Sequence, residues 1–384
     1  MLKFLKQLLQ QTSIINLTFA IILTANKKFA TLTILVLLLL IQNCNEPNNI
    51  EEFPSTWKNL GLESKHIIRL RLFKPYLYAC TGYDGLWRKD IQKKDSEWKY
   101  MGFSNSNFGQ ELNYGVVDIV VNPENIDIML VAFFPDSGTA HGIFKTEDGG
   151  NSWFVSDSGL GFHFPEPWDD ETYYEHPTIF LQSPNMLFAA GTEIAKSIDF
   201  GDTWEVIGSI VGPAPAAWTF SFTYHRESTN ILWLGGTSAT FGPLLFFSED
   251  SGANWDYVFL DSLVVIDNTV YSIALDPNNI DIAYVSLFRE IIKTIDGGTS
   301  WTKILSWDGP GHVRGLVEDD SQSGHLFAAA GPNVMETKDG GETWVDIDSP
   351  NGSGILSMVF DSDENALYIG TANASAPSGV FIYK

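Results

Sequence analysis

Two groups of side chains in this chain have the types and spacing to do chemistry. The first lies in residues 158–177, SGLGFHFPEPWDDETYYEHP, where Phe162, Phe164, Trp168, Tyr173 and Tyr174 interleave with Glu166, Asp169, Asp170, Glu171 and His176. Rings stack on the apolar faces of sugars or peptides, and carboxylates accept their hydroxyl or amide protons. Trp168, Tyr173, Tyr174, Glu171 and His176 are therefore candidate ligand contacts. The competing reading is a loop that folds its aromatics onto its own scaffold. The second group appears when Asn122-Pro123 is set against Asp276-Pro277 and the comparison is carried along the chain. Arg69, Asp118, Ile179, Ser221, Ser272, Arg314 and Ser357 then share one position, and six of these seven are polar. Arg69 and Arg314 could clamp a carboxylate through paired N–H donors; equally, Asp118 could neutralise the neighbouring Arg69 in a wet channel. Cleaving a glycosidic bond needs two facing carboxylates, one acid and one base. Asp118, Glu111, Asp169 and Asp170 are the acids to test for that role. No His/Cys cluster has metal-ligand spacing, no glycine-rich phosphate loop occurs and no Ser-His-Asp set stands out, so neither a metal nor a cofactor is expected.

The elements that must hold these groups are repeated. Five octapeptides, TEDGGNSW from Thr146, SIDFGDTW from Ser197, SEDSGANW from Ser248, TIDGGTSW from Thr294 and TKDGGETW from Thr337, place Asp148, Asp199, Asp250, Asp296 and Asp339 at intervals of 51, 51, 46 and 43 residues. A period of that size marks repeated supersecondary units. Within each copy the Ser or Thr and the Asp can bond nearby backbone, the glycine tolerates positive φ, and the closing Trp anchors a new strand. The five aspartates are therefore expected to be structural. Runs such as VVDIVVNPENIDIMLVAF and YSIALDPNNIDIAYVSL supply two strands before each octapeptide, and short pieces such as EIIKTID supply a third. Four antiparallel strands per repeat predict a propeller blade. Trp57, Trp98, Trp153, Trp204, Trp255, Trp301 and Trp344 mark seven outer strands. The C-terminal repeat has only three strands of its own, so the strand around Trp57 must complete it and close the ring. The prediction is an all-β, seven-bladed β-propeller over residues 56–384.

The octapeptides match the pattern S-x-D-x-G-x-T-W and resemble the Asp-box, or BNR, repeat. That repeat occurs in bacterial sialidases, xyloglucanase-type glycoside hydrolases, sortilin-type receptor domains and photosystem II assembly factors. The phrases ALDPNN at Ala274 and GGTSW at Gly297 look most similar to the xyloglucanase and assembly-factor branch. The resemblance implies the fold and leaves function open, because the same blade hosts enzymes and binding proteins. A sialidase-like site implies three arginines, a Tyr nucleophile with a Glu partner and an Arg-Ile-Pro segment near the start of the fold; that segment is absent. A xyloglucanase-like site implies two tandem propellers, where this chain has one. The expectation is a binding module that takes a protein or glycan on the face bearing the long interblade loops, opposite the octapeptides. The alternative is a glycoside hydrolase acting on surface polysaccharide.

The N-terminal residues add a location. Lys27 and Lys28 precede the apolar run FATLTILVLLLLI, residues 29–41, and Gln42, Asn43 and Cys44 follow. Charge followed by a short apolar run is the order of a secretory signal. With Cys44 placed there, it resembles a bacterial lipoprotein signal. Residues 1–43 are read as the signal, Cys44 as the lipidated residue and 44–55 as a polar tether; cleaved secretion and an uncleaved anchor are the alternatives. A periplasmic or cell-surface lipoprotein, monomeric, is the expected form. Cys80 is then expected to be a small buried core residue without a disulfide partner. The chain carries 23 Lys and Arg against 47 Asp and Glu; without the four lysines of the signal the balance is 19 against 47, or −28. Such a surface repels phosphate polymers, and nucleic acid is excluded as a partner.

Overall fold

The computed structural model of the chain describes residues 57–82, 84–103, 115–133, 142–160, 178–183, 186–190, 193–209, 218–237, 242–260, 269–350, 352–372 and 378–384. All of them belong to one compact unit, Thr56–Lys384. Its 28 strands, numbered in chain order, form seven four-stranded antiparallel sheets. The innermost strands are β2 (Arg69–Phe73), β6 (Val116–Val121), β10 (Thr178–Ser183), β14 (Trp218–His225), β18 (Ser272–Leu275), β22 (Val313–Glu318) and β26 (Gly354–Asp361). Each touches the next, and β26 touches β2, so the ring is closed. Blades 1 to 7 are counted from these strands.

The sheet that starts at β26 is completed by β1 (Trp57–Gly61), which pairs with β28 (Gly379–Tyr383) through Trp57↔Tyr383 and Lys58↔Ile382. Blade 7 is thus built from both halves of the described chain, and the ring has no open sheet edge between its first and last repeats. The core lies between blades. Val117, Val120, Leu130, Ala132 and Ile143 of blade 2 pack on Leu187, Ala189, Ala195, Phe200 and Trp204 of blade 3. Because blades cover both faces of each sheet, β6 reads VVDIVV and is buried at every position. Cys80 is fully buried in the sheet of blade 1, and burial pushes its thiol well up.

Polar groups also join the blades. Trp98 Nε1 donates to Leu60 O (2.8 Å), Trp153 to Met101 O (3.1 Å), Trp204 to Ser156 O (2.8 Å), Trp344 to Ile304 O (3.2 Å) and Trp57 to Ile347 O (3.4 Å), in each case reaching the preceding blade. Trp255 and Trp301 instead close on the glycine carbonyls of their own octapeptides, Gly252 and Gly298. Around the channel, Ser357 Oγ accepts from Leu70 N (2.8 Å), Ser221 Oγ accepts from Ile273 N (3.0 Å), and Ser272 Oγ donates to Leu316 O (3.0 Å). The polar residues expected to line the channel therefore also stitch inner strands together.

Candidate functional site

The octapeptide hairpins are self-contained. Thr146 Oγ1 donates to Asp148 Oδ1 (2.8 Å) and accepts from Gly150 N (3.0 Å). Asp148 Oδ1 also accepts from Ser152 N (2.9 Å), and its Oδ2 accepts from Ser152 Oγ (2.6 Å). The same set recurs for Asp199 with Thr203, Asp250 with Asn254, Asp296 with Ser300 and Asp339 with Thr343. The Ser152 hydroxyl, its N–H and the Thr146 hydroxyl hold the Asp148 carboxyl down at about 2. Thr343 and Thr337 do the same for Asp339, also about 2. Each carboxylate spends its acceptor capacity on its own turn.

The channel wall is different. A cavity of about 370 Å³ runs along the inner strands of blades 1, 4, 5, 6 and 7, and Arg69, Arg71, Arg226, Arg314, Glu318 and Asp320 contribute its charges. The chain has six arginines, so four converge on one cavity in a strongly acidic protein. Tyr271 lies in the same wall, and the Arg314 guanidinium sits 5.3 Å from its ring centroid. His312, beside Arg314, is pushed down to about 4, first by burial and then by the charges of Arg314 and Arg289.

Two expectations about this wall are corrected by geometry. Asp118 pairs with Arg71 and not with Arg69: Arg71 Nε donates to Oδ1 and Nη2 to Oδ2, both at 2.8 Å. Successive residues of a strand point to opposite faces, so Arg69 and Arg71 share a face, and the offset between β2 and β6 decides which one meets the acid. Asp118 itself is fully buried. Arg314 does not share the position of Asp118, Ser221 and Ser357. In β22 the register shifts between Val313 and Gly315, as it does between Val116 and Asp118, and Gly315 takes the equivalent place. Arg314 is the extra residue of a β-bulge, which re-aims a side chain without ending the strand.

With Asp118 taken by Arg71, Arg69 keeps a buried Nε–H that meets no acceptor. Burial works against its charge, Asp118 partly offsets this, and Arg71 adds repulsion. Such a donor costs roughly 1–3 kcal/mol while it stays unpaired. Farther along the channel, burial pushes Glu318 up to about 7; Arg226 opposes that shift and Asp320 adds to it. Arg226, in the turn after β14, forms an ion pair with Asp320, in the turn after β22. Blade 5 lies between those two turns, so the pair bridges non-neighbouring blades. Ser362 of blade 7 also donates to Asp320. Turns from first to second strands and the octapeptide hairpins lie at the same end of an antiparallel blade. That end of the channel is crossed by Arg226 and Asp320, and the opposite end carries the interblade connections.

Arg69 and Arg314 are thus brought to one cavity, with Asp118 held behind it. Glu111, Trp168, Asp169, Asp170, Glu171, Tyr173, Tyr174, His176 and Cys44 lie outside the described residues. Arg71, Arg226, Glu318 and Asp320 are cavity residues that the sequence reading missed. Aligning the first-to-second-strand turns would have singled out Arg226 and Asp320, the residues next to His225 and Asp319.

No protein-family model matches the chain, and no curated protein matches it. Among solved structures, it resembles a GH74 enzyme from Niastella koreensis at 17% identity and a TM-score of 0.61, over 85% of this chain and 53% of that one. It also resembles YCF48 from Cyanidioschyzon merolae at 12% identity and a TM-score of 0.59, over 85% of this chain and 98% of that one. A structure of YCF48 bound to D1 peptide matches at 13% identity with a TM-score of 0.56, over 85% and 96% of the two chains. The chain spans about half the length of the GH74 enzyme and nearly all of YCF48. At these identities the likeness is one of fold, the seven-bladed propeller.

Proposed function

We propose that the chain is a non-enzymatic binding protein, held outside the cytoplasm by a lipid on Cys44, that takes a carboxylate-bearing protein or carbohydrate ligand into its central channel. The observation that carries this reading is the unpaired Nε–H of Arg69 in a cavity where four arginines meet. A ligand carboxylate would satisfy that donor, and a charged hydrogen bond in a recessed site is worth more than one in water. Arg226 and Asp320 cross one mouth, so the ligand enters from the end bearing the interblade loops, where Tyr271 offers a ring to stack on. Propellers of this fold include a GH74 enzyme and a protein bound to a peptide, so either ligand class is compatible with the scaffold.

A glycoside hydrolase is the second reading, favoured by Glu318, whose carboxyl is pushed up to about 7 and could serve as an acid near neutral pH. Among the described residues, the acids nearest to it are already engaged: Asp118 by Arg71 and Asp320 by Arg226 and Ser362. Incubating the protein with neutral and acidic oligosaccharides and with carboxyl-terminal and amidated peptides separates the two. Retention of carboxylated ligands without turnover supports binding. Hydrolysis of any of them, abolished by Glu318→Gln, would replace it with the enzyme.

A further inference from the structure

Charge is unevenly spread around the ring. Residues 57–99, which form β1 and most of blade 1, carry ten Lys and Arg against five Asp and Glu, or +5. Residues 100–384 carry nine against 39, or −30. Much of the excess is on the outer edge of blade 1 and the adjoining β1. Lys58, Lys93, Lys94 and Lys99 are exposed there. Burial and the nearby Lys58 together lower the pKa of Lys89. Trp98 Nε1, donating to Leu60 O at 2.8 Å, ties blade 1 to β1 at this edge.

The local pairing is unfavourable as it stands. In blade 1, β4 (Leu86–Asp90) pairs with β5 (Lys99–Gly102) so that Arg88 lies directly opposite Lys99. Like charges at opposed positions destabilise a sheet. Arg88 Nη1 is buried without an acceptor, while the guanidinium lies over the Tyr76 ring at 4.3 Å. Arg88, Lys93, Lys94 and Lys99 share an open groove of about 560 Å³. Asp90, Asp95 and Glu97 line it too, with Asp90 already paired to Lys93 at 2.8 Å. Lysines do protect exposed strand edges from pairing with other chains. That is not their use in this ring, because β9 (Phe154–Val155), β13 (Glu205–Ser209), β17 (Asp256–Phe259), β21 (Thr302–Ser306) and β25 (Val345–Asp346) hold a single lysine between them, Lys303, and it is paired with Glu290.

We propose that the outer edge formed by β1 and blade 1 docks on an anionic lipid bilayer. The choice of a bilayer rests on the tether reading of residues 44–55. The chain enters β1 at Trp57, next to Lys58, and the twelve residues 45–56 that separate it from Cys44 reach at most about 40 Å. A lipid on Cys44 keeps this edge near the membrane surface. The remaining arc, at −30, is repelled from anionic headgroups, so the basic edge is the part of the ring that can approach within the screening length of roughly 8 Å.

The test uses the full chain with vesicles of phosphatidylcholine alone or mixed with phosphatidylglycerol, followed by flotation and by acetylation footprinting of lysines. Flotation on both vesicle types with acetylation of Lys93, Lys94 and Lys99 slowed several-fold only on the anionic ones, relieved by raised salt, is the expected result. Lys303 and Lys338, on blades 5 and 6, serve as unaffected controls. Flotation on both with equal acetylation would overturn the docking edge and leave the tether standing. Flotation only on anionic vesicles, lost in Lys58→Glu/Lys93→Glu/Lys94→Glu/Lys99→Glu, would keep the edge and remove the tether. No flotation on either would remove both. Soluble polyglutamate protecting the same lysines as well as the anionic vesicles do would assign the edge to an acidic polymer and overturn the bilayer.

Discussion

At the rim of the ring Asp148 accepts hydrogen bonds on both carboxylate oxygens from its own hairpin, whereas in the channel Arg69 buries an Nε–H that meets no acceptor. Both residues are charged, and both sit at places a sequence reader would mark. The difference is satisfaction. A polar group whose partners lie within four residues explains itself as structure, while a buried donor left open needs an external reason. The two regions also respond to pH in opposite directions. Asp148 and Asp339 ionise at about 2 in the fold against an ordinary value of 3.8. Their contribution is complete above about pH 4 and lost as pH falls toward 2. Glu318 ionises at about 7 in the fold against 4.5. Between those values the native state holds a proton the unfolded chain has released, so stability falls as pH rises through that window and is flat above it.

The contrast can be broken or sharpened by substitution. Asp118→Ala strands Arg71 in the channel wall and is expected to lower stability by about 2–3 kcal/mol, read from the urea midpoint. A loss no larger than that of an ordinary surface change would mean that the Arg71 pair is dispensable. Ser357→Ala leaves the Leu70 N–H without its acceptor across the seam between blades 7 and 1, for an expected loss of about 1–2 kcal/mol. Glu318→Gln should flatten the stability curve between pH 4.5 and 7 while leaving the acid limb below pH 4 in place; an unchanged slope would show that Glu318 does not titrate there. Asp296→Asn should have the smallest effect, a slightly lower melting temperature with ligand retention unchanged. Impaired retention in that variant would erase the distinction between rim and channel.

Legibility in the sequence follows the range of the interactions. The octapeptides and the seven tryptophans could be read because a hairpin is decided by a few neighbouring residues, and Trp57 as the closing strand followed from counting. The channel could be read only in part. Arg69 and Arg314 were singled out, yet whether Asp118 meets Arg69 or Arg71 depends on the stagger between two blades, and the position of Arg314 depends on a bulge that no local signal announces. Arg226 and Asp320 lie 94 residues apart and meet across an intervening blade, a pairing that only the closed ring creates. The cavity runs from the interblade end to charged residues at the octapeptide end, an extent that no single repeat announces.

The central claim is that Arg69 holds a ligand carboxylate in the channel, and calorimetric titration of matched probes tests it most directly. D-glucuronate and D-glucose form one pair, and an acetylated dipeptide and its carboxyl-terminal amide form the other. Wild-type protein is expected to bind the carboxylate member of at least one pair and not its neutral counterpart, and Arg69→Met is expected to lose that binding by roughly thirtyfold or more while folding at least as stably as the wild type. Equal binding of charged and neutral members, or undiminished binding by Arg69→Met, would contradict the account.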